Sequence, residues 1–374
     1  MAPLSPLLFK SKRRFRPFAL AQDSAPAYEC VSYNNAARSD GSILEGNFMK
    51  AIVRTQYGPP DVLQFMEVAK PSPADNEVLI KLYAASVNPL DLFQLRGTPL
   101  IRAIPGMRTP KHQVLGCDIA GRVEAVGNQA KQFQPGDAVF GVTGFAGGGY
   151  AEYACTTEDK LALKPANLSF EEAAGVPIAA ITALQGLRDK GRIRPGQKVL
   201  IDGASGGVGT FAVQIAKSFG AEVTAVCSTG KVDTARSLGA DHVIDYTRED
   251  FTRSGQRYDL ILGANAHHSI FDYRRALSQD GIYVIAGGGM ARIFQGLLLA
   301  SLLSRMGSKK ACFFIANIIQ KDLLFLKDLL ETGKVVPVID RRYPLSDAAE
   351  ALRYLEERHA RGKVVLTVEH SNGA

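Results

Sequence analysis

The clearest chemical signal in the sequence is a turn of small residues that joins an apolar run to a helical pattern. It matches the dinucleotide-binding fingerprint with the first glycine replaced by alanine, Ala204-x-Gly206-x-x-Gly209. Residues with little or no side chain let backbone N–H groups approach a pyrophosphate at a helix N-terminus, where unpaired donors and the helix dipole favour negative charge. The same composition also suits an ordinary strand-to-helix turn. The residues predicted to bind a dinucleotide are Ala204, Ser205, Gly206, Gly207, Val208 and Gly209.

The sequence around this turn favours the dinucleotide interpretation. A β-branched run at residues 199–201 precedes the turn, and apolar residues follow it at helical spacing. About twenty residues further on, where an acidic side chain would hold the ribose 2′-OH of NAD, the sequence is Cys227-Ser228-Thr229-Gly230-Lys231. With no carboxylate there to repel a phosphate, and with Ser228 and Lys231 able to bind one, we predict NADP(H) as the cofactor. The alternative for Lys231 is a solvated lysine at a helix start.

The first half of the sequence reads as β-strands with one short helix. Asn88-Pro89 starts a turn, and Asp91 is expected to open that helix. Ser169 and Glu172 predict a capping box at the start of a later helix. Apolar runs separated by Gly- and Pro-rich turns predict strands at residues 50–55, 63–68, 77–84, 116–127 and 138–142.

From Ser169 onward, strands and helices alternate, as a parallel sheet requires. Amphipathic helices are predicted at residues 320–331 and 345–357, the second with Ser346 as a candidate N-cap. The final strand, at residues 363–368, is expected to return to the first domain, because that domain would otherwise keep an open edge. The other strands are predicted at residues 199–201, 222–226, 242–244, 259–262 and 282–286.

The composition is that of a globular protein with room for two domains. The chain has 374 residues, of which 46% are hydrophobic and 22% are charged. Its net charge of +7 is scattered along the chain, so we expect no nucleic-acid partner. Five widely spaced cysteines without a CxxC pair indicate a reducing compartment and no structural zinc cluster. The most apolar run, residues 293–303, is too short to predict a transmembrane segment.

Residues 1–48 differ in character from the rest of the chain. They are rich in Ala, Ser, Asn and Pro and carry a basic cluster at residues 10–16. One interpretation is a disordered or non-native extension before a true start at Met49, which predicts a cytoplasmic protein. The other is a transit peptide to the mitochondrion or chloroplast. We favour the first, because acidic residues appear from Asp23 onward and no clear amphipathic helix is present.

From residue 49 to residue 368 the sequence resembles the medium-chain dehydrogenase/reductase superfamily, in its zinc-independent quinone oxidoreductase branch with the reticulon-interacting and chloroplast-envelope homologues. The matching residues are Ala84-Ala85-Ser86-Val87-Asn88-Pro89-x-Asp91, Gly116-Cys117-Asp118-x-Ala120-Gly121, residues 203–209, Leu238-Gly239-Ala240-Asp241 and His359-Ala360-Arg361-Gly362-Lys363. The resemblance implies an α/β fold with the active site between two domains, and a homodimer. We predict a GroES-like β-rich catalytic domain at residues 49–170, to which residues 338–369 return, and a Rossmann doubly wound parallel-sheet domain at residues 171–337.

The sequence departs from the zinc alcohol dehydrogenases of this superfamily at the metal ligands. Where those enzymes place a cysteine ligand this chain has Asn88, and Cys117-Asp118 stands in place of a His-Glu pair. One lone thiol cannot make a three-ligand catalytic site, so we predict that no zinc is bound. Cys117 is then expected to be a small buried residue and Asp118 a partner of nearby backbone or basic groups. Hydride transfer without a metal suits acceptors that take a hydride readily, namely quinones and α,β-unsaturated carbonyls.

Two residues are candidates for the catalytic contact with the acceptor. Asn88 can donate to the anion that develops on the acceptor, with an Asx turn fixed by Pro89 as the alternative. Tyr150 is a weaker candidate, and its alternative is a packed aromatic residue. Phe93 stands where some relatives have a tyrosine, so a phenolic acid is excluded there and the proton is expected to come from water.

The resemblance also assigns residues close to the cofactor. It places the backbone of Gly287 and Gly288 beside the nicotinamide and Asn317 near the cofactor. His267 and His268 are expected to face solvent. The loops at residues 97–115 and 293–306 are expected to shape the acceptor pocket.

Two other functions stay open at this point. The first is a catalytically weak NADPH-binding protein that works as a redox sensor or scaffold, which the missing tyrosine and the absence of a compelling acid or base would explain. The second is a zinc-type alcohol dehydrogenase, which the missing ligands disfavour.

Overall fold

The structure is a computed structural model that describes residues 48–97, 109–288, 299 and 307–370. The predictions for the segment before residue 48 and for most of the two loops expected to shape the acceptor pocket lie outside these residues. The described part of the chain forms two large sheets and one separate pair of strands.

The elements are named in chain order. The strands are β1 (Phe48–Val53), β2 (Gln64–Ala69), β3 (Glu77–Val87), β4 (Asp118–Val126), β5 (Ala138–Val142), β6 (Tyr153–Thr157), β7 (Leu161–Leu163), β8 (Lys198–Asp202), β9 (Glu222–Cys227), β10 (His242–Asp245), β11 (Tyr258–Gly263), β12 (Leu277–Ile285), β13 (Lys310–Phe313), β14 (Ile339–Pro344) and β15 (Lys363–Thr367). The helices are α1 (Pro89–Arg96), α2 (Phe170–Ala174), α3 (Pro177–Leu184), α4 (Gly207–Ser218), α5 (Val232–Ser237), α6 (Ile270–Ala276), α7 (Gln320–Glu331) and α8 (Ala348–Glu356). Short 3-10 turns lie at Pro60–Val62, Glu158–Lys160, Thr229–Lys231 and Leu345–Asp347, and a π-helical segment, Gln185–Lys190, continues α3.

The first sheet has the strand order β14-β15-β3-β4-β5-β7, and β6 also pairs with β3. β1 and β2 form an antiparallel pair of their own. The antiparallel ladder between β3 and β4 runs from the pair Val78–Val126 to the pair Ser86–Asp118. This register places Asp118 opposite Ser86, close to Asn88, which follows the end of β3.

The last strand returns to the first sheet, as predicted. β15 pairs antiparallel with β3, with Val365 opposite Ser86. β14 lies beyond β15 at the edge and was not predicted, because Asp340, Arg341 and Arg342 interrupt its apolar pattern. An edge strand needs no continuous apolar pattern, and its charged side chains discourage pairing with another molecule.

The second sheet is parallel, with the order β10-β9-β8-β11-β12-β13. The five strands predicted here are confirmed, whereas the four-residue strand β13 carries too short a pattern to be recognised. The strand order reverses at β8, which has β9 on one side and β11 on the other. Ligands of such sheets bind at the carboxyl ends of the strands beside this reversal. The turn of small residues leaves β8 at that place.

The two sheets share an apolar core through helix α3. The capping box before α2 is confirmed, since Ser169 Oγ accepts the N–H of Glu172 at 3.2 Å. Nearly every residue of α3 is buried. One apolar cluster joins this helix to Phe140 and Val365 of the first sheet and to Val199 of the second. The predicted α/β architecture is therefore confirmed, while the domain limits at residues 170 and 337 stay predictions.

Two predicted helix starts are wrong. Ser346 is not the N-cap of the last helix, because Leu345–Asp347 form a 3-10 turn first and Asp347 occupies the cap of α8. Ser346 Oγ instead lies 3.0 Å from Asp347 Oδ1. The first helix starts at Pro89, two residues before Asp91, since proline suits the first helical position.

Candidate active site

The small residues after β8 form a tight turn into helix α4. Gly203 has a φ of +81°, in the left-handed region that favours glycine. Gly206 is extended, and α4 begins at Gly207. A Cβ on Gly209 would overlap the carbonyl oxygen of Gly203, so a larger residue does not fit there. The predicted strand, turn and helix are confirmed, and the binding of a cofactor by their residues stays a prediction.

The turn leaves backbone donors at the carboxyl end of β8. The N–H groups of Gly207, Val208 and Gly209 have no acceptor within α4, because they belong to its first turn. The N–H of Ala204 is already used, since it donates to the carbonyl of Val226 at 3.0 Å. Ala204 and Ser205 are buried. The first turn of the helix is therefore the part of this segment that can bind an anion.

Lys231 does not extend freely into solvent. Its half-buried side chain reaches toward the segment before β15, where Nζ donates to the carbonyl of Ala360 at 3.2 Å. Burial lowers the pKa of Lys231, and the charge of Arg361 lowers it further. Ser228 precedes the 3-10 turn Thr229–Lys231 that brings Lys231 to this position. The end of β9 therefore carries two neighbouring cations, Lys231 and Arg361, of which the sequence analysis assigned only the first.

One carboxylate near this place was also missed. Asp245 lies at the end of β10, the strand next to β9. The hydroxyl of Thr229 donates to Asp245 Oδ2 at 2.5 Å, and Thr247 donates to Oδ1 from both its N–H, at 3.0 Å, and its hydroxyl, at 2.8 Å. These bonds lower the pKa of Asp245, with the bond from Thr229 as the largest cause. Asp245 belongs to the neighbouring strand β10, so the spacing of residues after β9 could not predict its position.

Asn88 lies in a buried polar network. Asn88 is buried, with only 3% of its surface exposed. Oδ1 accepts from Lys363 Nζ at 2.7 Å, and Nδ2 donates to Asp118 Oδ2 at 2.9 Å. The second Nδ2 hydrogen has a longer contact, 3.4 Å, with the carbonyl of Ser86. We call Ser86, Asn88, Asp118 and Lys363 the Lys363 network.

Asp118 is the centre of the Lys363 network and has the structural role that the sequence predicted. Its Oδ2 also accepts from Ser86 Oγ at 2.8 Å and lies 3.4 Å from Lys363 Nζ. Its Oδ1 accepts the N–H of Ile178 at 2.9 Å, in the first turn of α3. A carboxylate at a helix N-terminus is stabilised by the helix dipole. The missed member is Lys363, whose position inside an apolar strand gave no signal of a polar role.

Tyr150 lies inside the first domain and is fully buried. Its hydroxyl donates to Asp91 Oδ2 at 2.9 Å, and the N–H of Asn88 donates to the same oxygen at 2.7 Å. Burial raises the pKa of Asp91 to about 7. Cys117 is likewise buried, as predicted, and burial raises the pKa of its thiol well above its usual range. Tyr150 is thus a packed aromatic residue, which was the alternative to a catalytic role. Its hydrogen-bonded connection to Asn88 runs through Asp91.

The glycines after β12 make close backbone contacts. A Cβ on Gly287 would overlap the carbonyl oxygen of Ala264, which follows β11. Gly288 has a φ of +132° and forms a parallel bridge with Ala266. The fold alone therefore explains why a residue with a side chain is disfavoured at both positions. A contact with nicotinamide stays a prediction.

Asn317 is exposed, and its backbone is held on both sides by one distant side chain. Gln185 Oε1 accepts the N–H of Asn317 at 3.0 Å, and Gln185 Nε2 donates to its carbonyl at 2.7 Å. Nε2 also donates to Asp322 Oδ2 at 2.7 Å. Gln185 opens the π-helical segment, a feature that often marks functional positions. Gln185 was not predicted, because no sequence pattern links it to a residue so far along the chain.

The two histidines after β11 differ. His267 is exposed, as predicted. His268 is only partly exposed, at 31% of its side chain, because its ring packs edge-on against Phe251, at a centroid distance of 5.0 Å, and against Tyr273, at 5.9 Å. The hydroxyl of Tyr273 donates to buried Asp202 at the end of β8. This aromatic packing around Asp202 has no sequence pattern from which it could be predicted.

Comparison with known proteins identifies the family. A family model for the alcohol dehydrogenase GroES-like domain matches residues 74–166, and one for zinc-binding dehydrogenase matches residues 238–366. The chain is 36% identical over 343 residues to 2-methylene-furan-3-one reductase from Solanum lycopersicum, which covers 88% of this chain and 82% of that protein. The chain belongs to the medium-chain dehydrogenase/reductase superfamily.

Two further relatives place this medium-chain dehydrogenase/reductase in the quinone oxidoreductase branch. The chloroplastic NADPH-dependent alkenal/one oxidoreductase of Arabidopsis thaliana is 34% identical over 332 residues, which are 85% of this chain and 79% of that protein. The structure of the quinone oxidoreductase from Coxiella burnetii superimposes with a TM-score of 0.77 at 30% identity, covering 86% of this chain and all of that one. The protein is thus an oxidoreductase with a GroES-like and a Rossmann-like domain, as predicted.

Within residues 48–97, 109–288 and 307–370, no three His, Cys, Asp or Glu side chains converge as a metal site would require. Across those residues, no helix is both long and apolar enough to cross a membrane.

Proposed function

We propose that the protein transfers hydride from NADPH to a quinone or an α,β-unsaturated carbonyl, without a metal ion. The observation that carries the choice of cofactor is the end of β9, where no carboxylate of the described residues forms an ion pair with Lys231. The carboxylate of Asp245, on the neighbouring strand, is held by Thr229 and Thr247. The names of the relatives support the acceptor, since they are reductases of an alkenal or enone and a quinone oxidoreductase.

The residues on the cofactor side fit the groups of NADPH. The free N–H groups at Gly207, Val208 and Gly209 suit the pyrophosphate. Ser228 and Lys231 suit the 2′-phosphate, since a hydroxyl and a cation both favour an anion. When bound, NADPH supplies the hydride for the reaction. Gly287 and Gly288 are proposed to border the nicotinamide, and Asn317 to lie near the cofactor, with Gln185 fixing the backbone of Asn317.

Asn88 is the proposed donor to the acceptor oxygen. Lys363 donates to Asn88 Oδ1, and this polarises the amide so that Nδ2 becomes a stronger donor. One Nδ2 hydrogen is held by Asp118, while the other has only the 3.4 Å contact with Ser86. That second hydrogen, whose present contact is weak, can donate to the oxygen on which negative charge develops. The proton that completes the product comes from water in this proposal.

Tyr150 is proposed to act as a positioning residue. Because its side chain is fully buried, its hydroxyl cannot touch the acceptor. It holds Asp91, and Asp91 in turn holds the N–H of Asn88. Tyr150 would thus affect the reaction by keeping Asn88 in position.

The test combines cofactor binding with turnover. Titration of the purified protein should show tighter binding of NADPH than of NADH, and a panel of quinones, enones and alcohols should give turnover with the first two classes. Equal affinity for the two cofactors would overturn the assignment at β9. Turnover of alcohols alone would overturn the proposed acceptor class.

A second candidate function is that of an NADPH-binding sensor or scaffold with weak catalysis. The observation that favours it is the Lys363 network, in which Asn88 already uses its oxygen and one amide hydrogen inside the protein. Tight NADPH binding with no oxidation of the bound cofactor by any acceptor of the panel would decide for this candidate.

The proposal includes the absence of zinc. Where zinc enzymes of the superfamily carry ligands, this chain has Asn88, Cys117 and Asp118, and the last two are buried with Asp118 held by four donors. Elemental analysis of the purified protein should find zinc well below one atom per chain. Stoichiometric zinc would return alcohol oxidation to first place.

Assembly and location are further parts of the proposal. We propose a homodimer, to be checked by the mass of the particle in light scattering. We propose a cytoplasmic protein, whereas the chloroplastic relative supports an organelle as the alternative. Fluorescent fusions of the full chain and of a chain starting at Met49 discriminate, because only a transit peptide would make their locations differ.

A further inference from the structure

We propose that the ring of Phe145 is a stacking surface for the acceptor, a contact that flat quinones can make and unbranched enals cannot. The inference rests on the proposed function, because it names the acceptor class that the proposed site binds more tightly. It assigns Phe145 as a specificity-determining residue and Gln94 as the residue that positions it. Phe145 lies outside the two loops that were expected to shape the acceptor pocket.

Phe145 lies at the tip of a glycine turn that follows β5. The N–H of Gly147 donates to the carbonyl of Gly144 at 3.3 Å, so Phe145 and Ala146 are the two central residues of the turn. Gly144 has a φ of +89°, in the left-handed region that favours glycine. The phenylalanine itself is 55% exposed. Binding of an aromatic or conjugated ring against it is therefore favourable, because apolar surface leaves water.

The base of this turn is joined to the segment that carries Asp118. The N–H of Thr143 donates to the carbonyl of Cys117 at 2.9 Å, and Val142 of β5 pairs with Asp118 of β4. Asp118 Oδ2 in turn accepts from Asn88 Nδ2 at 2.9 Å. The turn therefore leaves the first sheet at the same edge as the proposed donor.

Gln94 fixes the main chain of Phe145 from helix α1, which directly follows Asn88. Gln94 is buried, and its Nε2 donates to the carbonyl of Phe145 at 2.8 Å. Its own carbonyl, near the carboxyl end of the helix, accepts from Nη1 of the buried Arg54, where a cation also suits the helix dipole. The helix that begins after Asn88 therefore also sets the position of Phe145.

A stacking contact distinguishes the two acceptor classes that the proposed function allows. The hydrogen bond from Asn88 goes to a carbonyl oxygen, which quinones and enals both possess, so it favours neither class. A quinone also presents a flat conjugated ring, which can lie on a phenylalanine in the offset arrangement of aromatic pairs. An unbranched enal has only a narrow chain of conjugated atoms and covers little of such a ring. The affinity for quinones is therefore expected to depend on Phe145, and the affinity for enals is not.

The test measures reduction of menadione, a quinone, and of crotonaldehyde, an unbranched enal, at saturating NADPH. Phe145→Leu keeps an apolar side chain but removes the ring. It should raise the KM for menadione about fivefold, as loss of a stacked pair predicts, and leave kcat and the KM for crotonaldehyde unchanged. Phe271→Leu is the matched control, because Phe271 on α6 is 54% exposed, and this variant should reduce both acceptors as the wild type does.

Gln94→Met tests the positioning role, because methionine keeps the length of the side chain and removes the donor to Phe145. It should raise the KM for menadione and leave that for crotonaldehyde unchanged. The double variant Phe145→Leu/Gln94→Met should have the same KM for menadione as Phe145→Leu alone, since Gln94 acts through the ring. Additive effects of the two substitutions, or equal effects of Gln94→Met on both acceptors, would overturn the positioning role.

The outcomes separate this inference from the proposed function. If the wild type reduces neither acceptor with NADPH, the proposed function fails and this inference fails with it. If the wild type reduces crotonaldehyde and not menadione, the reductase activity stands and the stacking role of Phe145 is overturned. The same conclusion follows if Phe145→Leu changes the KM of both acceptors alike, or of neither.

Discussion

The cofactor side and the acceptor side of the candidate active site are built by opposite means. The cofactor side consists of residues 203–209 and 228–231, which lie close together in sequence. It leaves the first N–H groups of α4 without an acceptor in the helix, and the charge of Lys231 without an ion pair among the described residues. The acceptor side consists of the Lys363 network with Asp91 and Tyr150, which join distant parts of the chain and pair almost all their polar atoms internally. Open groups suit the binding of an anionic ligand, while paired groups hold one amide in a fixed position.

Substitutions on the two sides are also expected to differ in their effect, on folding free energy in one case and on ligand affinity in the other. A change on the acceptor side leaves buried polar groups without partners, which costs folding free energy. On the cofactor side, a change of a group that faces the ligand, such as Lys231, removes a contact that forms only with ligand, so it costs affinity.

The largest effect is expected for Lys363→Met. It leaves Asp118 buried without its cation and Asn88 Oδ1 without a donor, and breaking a buried charge pair typically costs about 3–5 kcal/mol. The free energy of unfolding in urea measures the loss. Lys334→Met, on the exposed surface, is the control and should change it by no more than about 0.5 kcal/mol. A Lys363→Met protein as stable as the control would show that the network contributes no stability.

The second prediction concerns the pH dependence of stability. Burial raises the pKa of Asp91 from 3.8 to about 7. The folded protein thus binds this proton more tightly than the unfolded chain, so the contribution of Asp91 is complete below its unfolded pKa and is lost as pH rises toward 7. Relative to Asp91→Asn, the wild type should lose up to about 4 kcal/mol between about pH 4 and pH 7.

The free energy of unfolding in urea is measured for the wild type and for Asp91→Asn over this pH range. The nearby charged groups Arg54, Asp118 and Lys363 are present in both, so the difference between the two curves isolates Asp91. Parallel curves would contradict the prediction.

The third prediction compares two glycines of the same turn. Gly209→Ala forces a Cβ against the carbonyl oxygen of Gly203 and should cost about 1–3 kcal/mol, as overpacking does. Gly206→Ala meets its nearest atom only at 3.6 Å and should keep the wild-type stability. If the turn binds the pyrophosphate, both variants should bind NADPH more weakly, one through misfolding of the turn and one through lost access. Wild-type NADPH affinity in Gly206→Ala would argue against a role of that residue in binding.

The smallest effect is expected for Lys231→Ala. It should leave stability nearly unchanged and weaken NADPH about tenfold relative to NADH, which corresponds to one charge-assisted bond. Fluorescence titration with both cofactors measures the ratio. A ratio equal to that of the wild type would mean that Lys231 only supports the segment at Ala360.

Local elements could be predicted from the sequence with good accuracy. The strand β8, the turn and the helix α4 follow from glycine positions and apolar spacing within about twenty residues. Short or charged strands escaped prediction, because β13 has four residues and β14 carries three charged residues in succession. The start of α8 was placed wrongly because a 3-10 turn precedes it.

The candidate site could be predicted only in part. The glycine turn, Ser228 and Lys231 could be assigned to the candidate site because the fingerprint relates them by spacing along one βαβ unit. Asp118 was assigned a structural role correctly, and Asn88 and Tyr150 proved to be connected through Asp91. Gln185, Arg361 and Lys363 were not assigned to the site, since each acts on a residue more than a hundred positions away or on another strand.

The sequence by itself determined the α/β fold, the return of the last strand and the glycine turn after β8, because backbone conformation and apolar periodicity are local properties. Only the tertiary structure decided which side chains meet across the site. Lys363 reaches Asn88 over 275 residues and Lys231 reaches Ala360 over 129. Both contacts depend on β15 lying between β14 and β3, an order fixed by burial of the strands against each other and against α3, and not by any residue of the site itself.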